Sequence, residues 1–252
     1  LRTKFKKGLF EKPYFENGKE VLYNEEHLSA AKEAAIQSMV LLKNDKNILP
    51  ITNSKSKIAL IGPLANAPHE QLGTWTFDGE KDHSVTPLMA MKETFGDRLN
   101  YESGLAYSRD KSEEGFKKAV RAARKSDVVV FVGGEEAMLS GEAHSRANID
   151  LPGAQEKLIE RLSETGKPIV LVIIAGRPIT LGNIIDKVDA VLFAWHPGTM
   201  GGPALTDLIT GVASPSGRLP VTWPKSVGQI PVYYNHKSTG RPASAKTFVH
   251  ID

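Results

Sequence analysis

The stretch Asp127-Val128-Val129-Val130-Phe131-Val132-Gly133-Gly134 decides the fold. Five apolar residues follow one another, four of them are β-branched, and a pair of glycines ends the run. β-Branched and aromatic residues favour strands. A continuous apolar run, without alternating polar residues, is typical of a strand that is buried on both faces of a parallel sheet. The stretch therefore predicts a central strand.

Other segments repeat this pattern along the chain, and helical segments separate them. Strands are predicted over residues 57–62, 99–102, 168–176, 189–194 and 217–223. Helices are predicted over residues 87–95, 113–125, 152–164 and 201–211, after a first helix that begins at Asn24 and is closed by the turn Lys43-Asn44-Asp45. Strands that alternate with helices indicate a parallel sheet. We expect a doubly wound α/β sandwich with a largely parallel six-stranded sheet and helices on both faces.

The composition is that of a globular protein. The 252 residues are 40% hydrophobic and 24% charged, with a net charge of +3. No apolar run approaches the roughly 18 residues of a membrane span, so no membrane partner is predicted. The small net charge does not favour a nucleic-acid partner. The chain has no cysteine, which excludes thiol catalysis, disulfides and zinc sites containing Cys. The seven histidines lack ligand spacing, so we predict neither metal nor cofactor.

Motifs of nucleotide-binding and hydrolase folds are absent. The sequence contains no Gly-x-Gly-x-x-Gly after a strand, no phosphate-binding Gly-x-x-x-x-Gly-Lys, no Gly-x-Ser-x-Gly and no His-Glu-x-x-His. The segment from Gly198 to Ala204 is rich in glycine and opens a helix. Its free amides could hold an anion in a flavodoxin-like phosphate binder, or it could be a tight strand-to-helix turn.

Three regions are expected along the chain. Residues 1–24 are basic and aromatic without a clear period and are interpreted as an interdomain arm. Residues 25–235 form the sandwich domain, and residues 236–252 an extension toward a downstream segment. Because the chain begins with Leu1 instead of Met, we expect it to be part of a longer protein.

The loop after the central strand contains the residues best suited to catalysis. Between Glu135 and Arg146 it has three glutamates, His144 and an arginine. In a parallel sheet such a loop lies at the carboxyl ends of the strands, where ligands bind. A carboxylic acid in apolar surroundings can stay protonated and act as a general acid. The alternative is a solvated acidic loop.

Six stretches together resemble glycoside hydrolase family 3, in the family's order. They are Ser38-Met39-Val40-Leu41-Leu42-Lys43-Asn44 with Leu49-Pro50; Ile61-Gly62-Pro63; Ser140-Gly141-Glu142-Ala143-x-Ser145-Arg146 followed by Asp150-Leu151-Pro152-Gly153-x-Gln155; Trp195-x-Pro197-Gly198-x-x-Gly201-Gly202-x-Ala204; Pro215-Ser216-Gly217-Arg218-Leu219-Pro220-Val221-Thr222-Trp223-Pro224; and Tyr233-Tyr234-Asn235-His236-Lys237-x-Thr239-Gly240-Arg241-Pro242. The last is similar to the β-glucosidase and β-xylosidase branch.

The resemblance implies a role in hydrolysis of terminal β-linked glucosides or xylosides with retention, on β-linked oligosaccharides or aryl glycosides. It implies an N-terminal barrel domain in the same polypeptide that supplies an Asp nucleophile, so these 252 residues alone are predicted to be inactive. Glu142 falls on the acid/base position. Where the family has Gly-Glu-Gly-x-Asp-Arg, this chain has Ala143 and Ser145. The family's usual role implies a periplasmic or secreted protein.

Four further residues are candidates for binding the sugar. Trp75 resembles the aromatic residue that stacks on a sugar, and Asp78 is placed to bond hydroxyl groups. Arg146 and His144 are the others. The structural alternatives are a buried loop anchor for Trp75, an ion pair for Arg146 and a solvent-facing side chain for His144.

A second hypothesis is a non-catalytic carbohydrate-binding or scaffolding module. It shares the fold and Trp75 but does not need Glu142. The two hypotheses differ in whether Glu142 faces the same open surface as Trp75 or is held in a salt bridge facing away from it.

Overall fold

A computed structural model describes residues 1–14, 18–235 and 237. Its sheet has six strands in the order β1-β6-β5-β4-β2-β3. The strands are β1 (Val40–Asn44), β2 (Ile58–Ile61), β3 (Leu99–Glu102), β4 (Val128–Gly134), β5 (Ile169–Ile174) and β6 (Ala190–Trp195). β1 is antiparallel to β6, and every other neighbouring pair is parallel. The predicted sheet is confirmed.

Helices cover both faces of the sheet. The helices are α1 (Arg2–Lys6), α2 (Gly18–Val21), α3 (Glu25–Ser38), α4 (Pro87–Phe95), α5 (Phe116–Arg124), α6 (Gln155–Ser163) and α7 (Gly201–Thr210). α5 and α6 share a buried cluster with one face of the strands, and α3, α4 and α7 share a second cluster with the other face. Every residue of β4 and β5 is buried because these strands lie between the two clusters. This explains their continuous apolar sequence.

Two details of the prediction are wrong. Residues 217–223 form no strand, and the sixth strand is β1, where we expected the end of a helix and a turn. The segment 217–223 includes Pro220 and is followed by Pro224, and proline cannot donate a ladder hydrogen bond. β1 pairs at the sheet edge with β6, about 150 residues later, and only this distant pairing makes it a strand.

The terminal regions lie outside the sheet. Residues 1–14 and 18–24 contain two short helices, and α1 has no buried residue. Of the extension 236–252, only residue 237 is among the described residues. The carboxyl ends of β2, β4, β5 and β6 all meet at one edge of the sheet, and the loops that follow them form the candidate site.

Candidate active site

Gly134 ends β4 in a conformation that other residues rarely adopt. Its φ is +129°, and a Cβ atom there would lie 1.9 Å from the carbonyl oxygen of Ile174 on β5. Glycine is therefore required where the two strands approach, and the chain leaves the sheet directly afterwards. The next residue, Glu135, begins the loop that leads to Glu142.

Glu135 is completely buried, with 0% exposure, and is paired with two arginines. Nε of Arg177 donates to its Oε2 at 3.1 Å, and Nη1 of Arg146 donates to its Oε1. The Ser140 hydroxyl donates to Oε2 at 3.1 Å. A buried carboxylate is tolerated only when it is paired and hydrogen-bonded in this way. We call Glu135, Arg146 and Arg177 the Glu135 cluster.

The arginines of the Glu135 cluster also hold the backbone on both sides of Glu142. Nη2 of Arg177 donates to the carbonyl of His144 at 2.7 Å and also to that of Leu139. Nη2 of Arg146 donates to the carbonyl of Asp150 at 3.0 Å. The loop is thus fastened to the segment that follows β5 and, through Asp150, to the chain that leads to α6, although it contains only a short helical turn.

Glu142 lies on the exposed turn of this loop. Its side chain makes no hydrogen bond or ion pair with any residue that the structure describes. Ala143 follows it with φ +63°, in the left-handed region. His144 is exposed, and its Nδ1 lies 3.0 Å from the carbonyl oxygen of Ser140. The carboxyl group of Glu142 is therefore accessible from outside the domain.

Glu136 has a different environment from its neighbours. Arg109 donates to it through Nε at 2.9 Å, and the Ser108 hydroxyl donates at 2.7 Å. Burial favours the neutral form of the Glu136 carboxyl, but these hydrogen bonds outweigh burial and lower its pKa. Glu136 is thus held as a carboxylate and is not suited to donate a proton.

The loop after β2 lies against the Glu142 loop. The Thr74 hydroxyl donates to the carbonyl of Ser140 at 2.6 Å and also contacts that of Ala137. A Cβ at Gly141 would lie 2.9 Å from Cγ2 of Thr74. Thr74, which precedes Trp75, and Gly141, which precedes Glu142, are therefore in contact.

Trp75 is exposed, so the buried-anchor alternative does not describe it. Its side chain is 57% exposed, next to Phe77, which is 85% exposed. The two ring centroids are 6.0 Å apart with an interplanar angle of 53°. Asp78 is also exposed on this loop. Exposed aromatic rings with adjacent polar groups can bind the apolar face and the hydroxyls of a sugar.

His196 packs against the loop after β2 and against the loop after β5. A Cβ at Gly73 would lie 2.8 Å from its ring, and one at Gly176 would lie 3.0 Å from its Nε2. Its Nδ1 lies 3.3 Å from the carbonyl oxygen of Glu70, while Nε2 is buried without a partner among the described residues. Burial lowers the pKa of His196. The Glu70 carbonyl and the carboxylates of Glu135 and Glu70 act in the opposite direction, but burial has the larger effect.

The sequence did not reveal three residues of this arrangement, which are Thr74, Arg177 and His196. Arg177 directly follows the strand predicted over residues 168–176, at the edge of the sheet where ligands bind, and this position could have indicated it. Of the predicted residues, Arg146 lies in the Glu135 cluster, whereas Glu142, His144, Trp75 and Asp78 are exposed.

The glycine-rich start of α7 is a packed turn. The amide of Gly202 donates to the carbonyl of Val85 at 3.0 Å, and the Gln71 side chain donates to the carbonyl of Gly198 at 2.9 Å. A Cβ at Gly202 would lie 2.2 Å from the Thr86 carbonyl oxygen. Because Gly202 has no side chain, the segment that contains Val85 and Thr86 can pack directly against the start of α7. This is the tight turn that the alternative interpretation predicted.

The described part of the chain lacks both a metal-binding group and a membrane-spanning helix. No group of three or more His, Asp or Glu side chains is placed to hold a metal ion there. No helix among these residues is long and apolar enough to cross a membrane.

Known proteins resemble this chain over nearly its whole length. The chain is 41% identical over 270 residues to the "Periplasmic beta-glucosidase" of Salmonella typhimurium, covering 96% of this chain and 35% of that protein. It is 36% identical over 243 residues to a "Beta-xylosidase" of Formosa agariphila, covering 93% of this chain and 34% of that one. The chain thus spans about a third of the length of these relatives.

A solved structure matches as well. The β-glucosidase from Listeria innocua in complex with isofagomine superposes with a TM-score of 0.88 and 38% identity, over 97% of this chain and 34% of the other. Residues 39–249 match the model of the glycosyl hydrolase family 3 C-terminal domain. The chain therefore belongs to glycoside hydrolase family 3 and comprises its C-terminal α/β sandwich domain.

Proposed function

We propose that this chain supplies the general acid/base, Glu142, to a retaining β-glycosidase that acts on terminal β-linked glucosides or xylosides. One observation carries the proposal. Of the three glutamates in the loop, Glu135 and Glu136 are both paired with arginine, whereas Glu142 is exposed and unpaired among the described residues, close to Trp75. Only Glu142 is free to reach a substrate.

Retaining hydrolysis needs two carboxyl groups about 5–5.5 Å apart. In the first step the protonated Glu142 gives its proton to the departing glycosidic oxygen, while an Asp carboxylate attacks the anomeric carbon. In the second step the Glu142 carboxylate takes a proton from the water that cleaves the glycosyl–enzyme ester. The attacking Asp would come from a barrel domain of the same polypeptide, as the family resemblance implies.

The other residues of the site have supporting roles in this proposal. Trp75 stacks on a sugar ring of the substrate, and Asp78 and His144, both exposed nearby, bond its hydroxyl groups. Arg146 contributes through the Glu135 cluster, which fixes the position of the loop. A binding module without catalysis would require no free acid beside the aromatic residues, and so explains less of this arrangement.

The same proposal assigns the regions of the chain. Residues 25–235 form the sandwich, residues 1–24 the arm that connects it to the barrel, and residues 236–252 an extension toward a downstream segment. A periplasmic or secreted location is proposed from the name of the Salmonella relative and the family's usual role.

The test uses the complete polypeptide and the variant Glu142→Gln. With an aryl β-glucoside or β-xyloside whose leaving group needs protonation, kcat should fall by roughly 10²–10⁴-fold, the usual contribution of general acid–base catalysis. With a dinitrophenyl glycoside, whose departure needs no proton, the first step should persist. Azide should then restore turnover of Glu142→Ala and form the β-glycosyl azide.

The matched control is Glu93→Gln, which changes an exposed glutamate on α4. It should leave kcat and KM unchanged. The 252-residue chain alone should show no turnover of any aryl glycoside. Unaltered kinetics of Glu142→Gln on poor leaving groups would refute the assignment.

A further inference from the structure

Helix α5 has a dense set of cations although the whole chain has a net charge of only +3. Within nine residues it and its C-cap present five basic side chains, all exposed, which we call the basic face: Lys117, Lys118, Arg121, Arg124 and Lys125. At about 1.5 Å per residue they extend about 12 Å along the helix. Charges of one sign held so close repel one another.

None of these five cations has an ion-pair or hydrogen-bond partner among the described residues. The neighbouring acids are already paired: Glu113 with Lys157 at 3.2 Å, and Glu164 with Arg161 at 3.5 Å. Two acids near the basic face, Glu102 at the end of β3 and Glu114 just before α5, have no ion-pair partner among the described residues, and they are too few to balance five cations. The positive charge is therefore not neutralised within the domain.

The basic face lines two depressions. One, of about 480 Å³, lies between α5 and α6 and is lined by Lys117, Arg121 and Arg124, together with Arg161 and Glu164. The other, of about 410 Å³, lies between α5 and β3 and is lined by Lys118, Arg121 and Lys125 beside the partly exposed ring of Tyr101. Arg121 borders both depressions, so a single elongated ligand could contact them together.

We propose that the basic face binds an anionic polysaccharide, one with carboxylate groups on its pyranose rings. Lysine and arginine pair with the carboxylates, and Tyr101 offers an aromatic ring for the apolar face of a sugar. This site lies on the α5 and α6 face of the sandwich, apart from the loops at the carboxyl edge of the sheet. It would hold the protein on a charged polymer and does not depend on the role of Glu142.

Two other anionic partners fit the surface less well. Insertion into a lipid surface needs large apolar residues beside the cations, and α5 exposes none. A nucleic acid would satisfy the cations, but the chain belongs to a family of glycoside hydrolases, and the aromatic ring is set in a depression that suits a sugar.

The test measures binding of the 252-residue chain to polygalacturonate by affinity electrophoresis at low ionic strength. We expect retardation that disappears when the polymer is fully methyl-esterified, since esterification keeps the sugars and removes the charge. The triple variant Lys117→Ala, Arg121→Ala, Arg124→Ala should weaken binding at least tenfold. Added salt should weaken binding of the wild type more than that of the variant.

The control removes three exposed lysines elsewhere: Lys4→Ala, Lys6→Ala, Lys92→Ala. It carries the same net charge as the triple variant and should bind like the wild type. Circular dichroism confirms that both variants are folded. Equal losses in the two variants, equal binding of the methyl ester, or tighter binding of duplex DNA or anionic vesicles than of polygalacturonate would each overturn the proposal.

Discussion

The hydroxyl of Thr74 donates a hydrogen bond of 2.6 Å to the carbonyl oxygen of Ser140, and so joins the loop of Trp75 to the loop of Glu142. The two loops follow different strands, β2 and β4, and are 66 residues apart in sequence at this bond. Under the proposed function, this direct contact between the loops would place a sugar stacked on Trp75 relative to Glu142.

Replacing Thr74 by valine should weaken this connection. Val keeps the shape and removes the hydroxyl, leaving partly buried carbonyl groups without their donor, which costs about 1–2 kcal/mol in the free energy of unfolding. In the complete polypeptide, KM for aryl glycosides should rise. Thr74→Ser keeps the hydroxyl and is the control, with near wild-type stability and KM. Equal effects of Val and Ser would contradict a role for the hydrogen bond.

Arg177→Met tests the Glu135 cluster. It removes one of the two cations that neutralise a fully buried carboxylate, and breaking such a pair costs about 3–5 kcal/mol. Urea denaturation should show a loss of this size. Arg2→Met, at an exposed position of α1, should change stability by less than about 0.5 kcal/mol.

A second change separates charge from packing at this cluster. If the cost of Arg177→Met comes from the uncompensated charge of Glu135, adding Glu135→Gln to that variant should recover part of the lost stability. A double variant that is less stable than Arg177→Met would show that the arginine acts through its contacts to the loop carbonyls instead.

Ala143→Gly should stabilise the domain, contrary to the usual effect of glycine. Ala143 has φ +63°, and the left-handed conformation costs roughly 1–2 kcal/mol for a residue with a Cβ. Glycine removes that cost. Its greater flexibility also stabilises the unfolded chain, by about 0.4–1 kcal/mol. The net gain should be about 0.5 kcal/mol, visible as a higher Tm.

The same substitution inside a helix is the matched control for Ala143→Gly. Ala34 is exposed in the middle of α3, where Gly is about 1 kcal/mol less favourable than Ala. Ala34→Gly should therefore lower Tm. A decrease in Tm for both variants would mean that the left-handed conformation of Ala143 is not strained.

The sequence predicts the central sheet well because burial on both faces requires continuous apolar runs, and β2, β4, β5 and β6 each have one. β1 was missed because its strand character depends on a distant partner at the edge of the sheet. At the site, Glu135, Glu136 and Glu142 look equivalent in sequence. Their environments differ because Arg146 and Arg177 pair with Glu135 and Arg109 pairs with Glu136. Arg109 and Arg177 lie outside the loop in sequence, and only the fold brings them to it.

Acid should destabilise the domain through His196. The pKa of His196 is lowered by burial, whereas in the unfolded chain the imidazole titrates near its ordinary value of about 6.5. Below that pH the unfolded state binds more protons than the folded state, so folding stability falls as the pH falls. Protonation would also place an N–H at the buried, unpartnered Nε2.

His196→Asn removes this titration while keeping a side-chain amide near the Glu70 carbonyl. Between pH 7.5 and pH 5 (values chosen to bracket the ordinary pKa of about 6.5), Tm of the variant should decline less than Tm of the wild type, even if the variant is less stable throughout. His27→Asn, which changes an exposed histidine at the start of α3, is the control and should keep the wild-type slope. Parallel curves for wild type and His196→Asn would mean that His196 contributes nothing to the acid sensitivity of the domain.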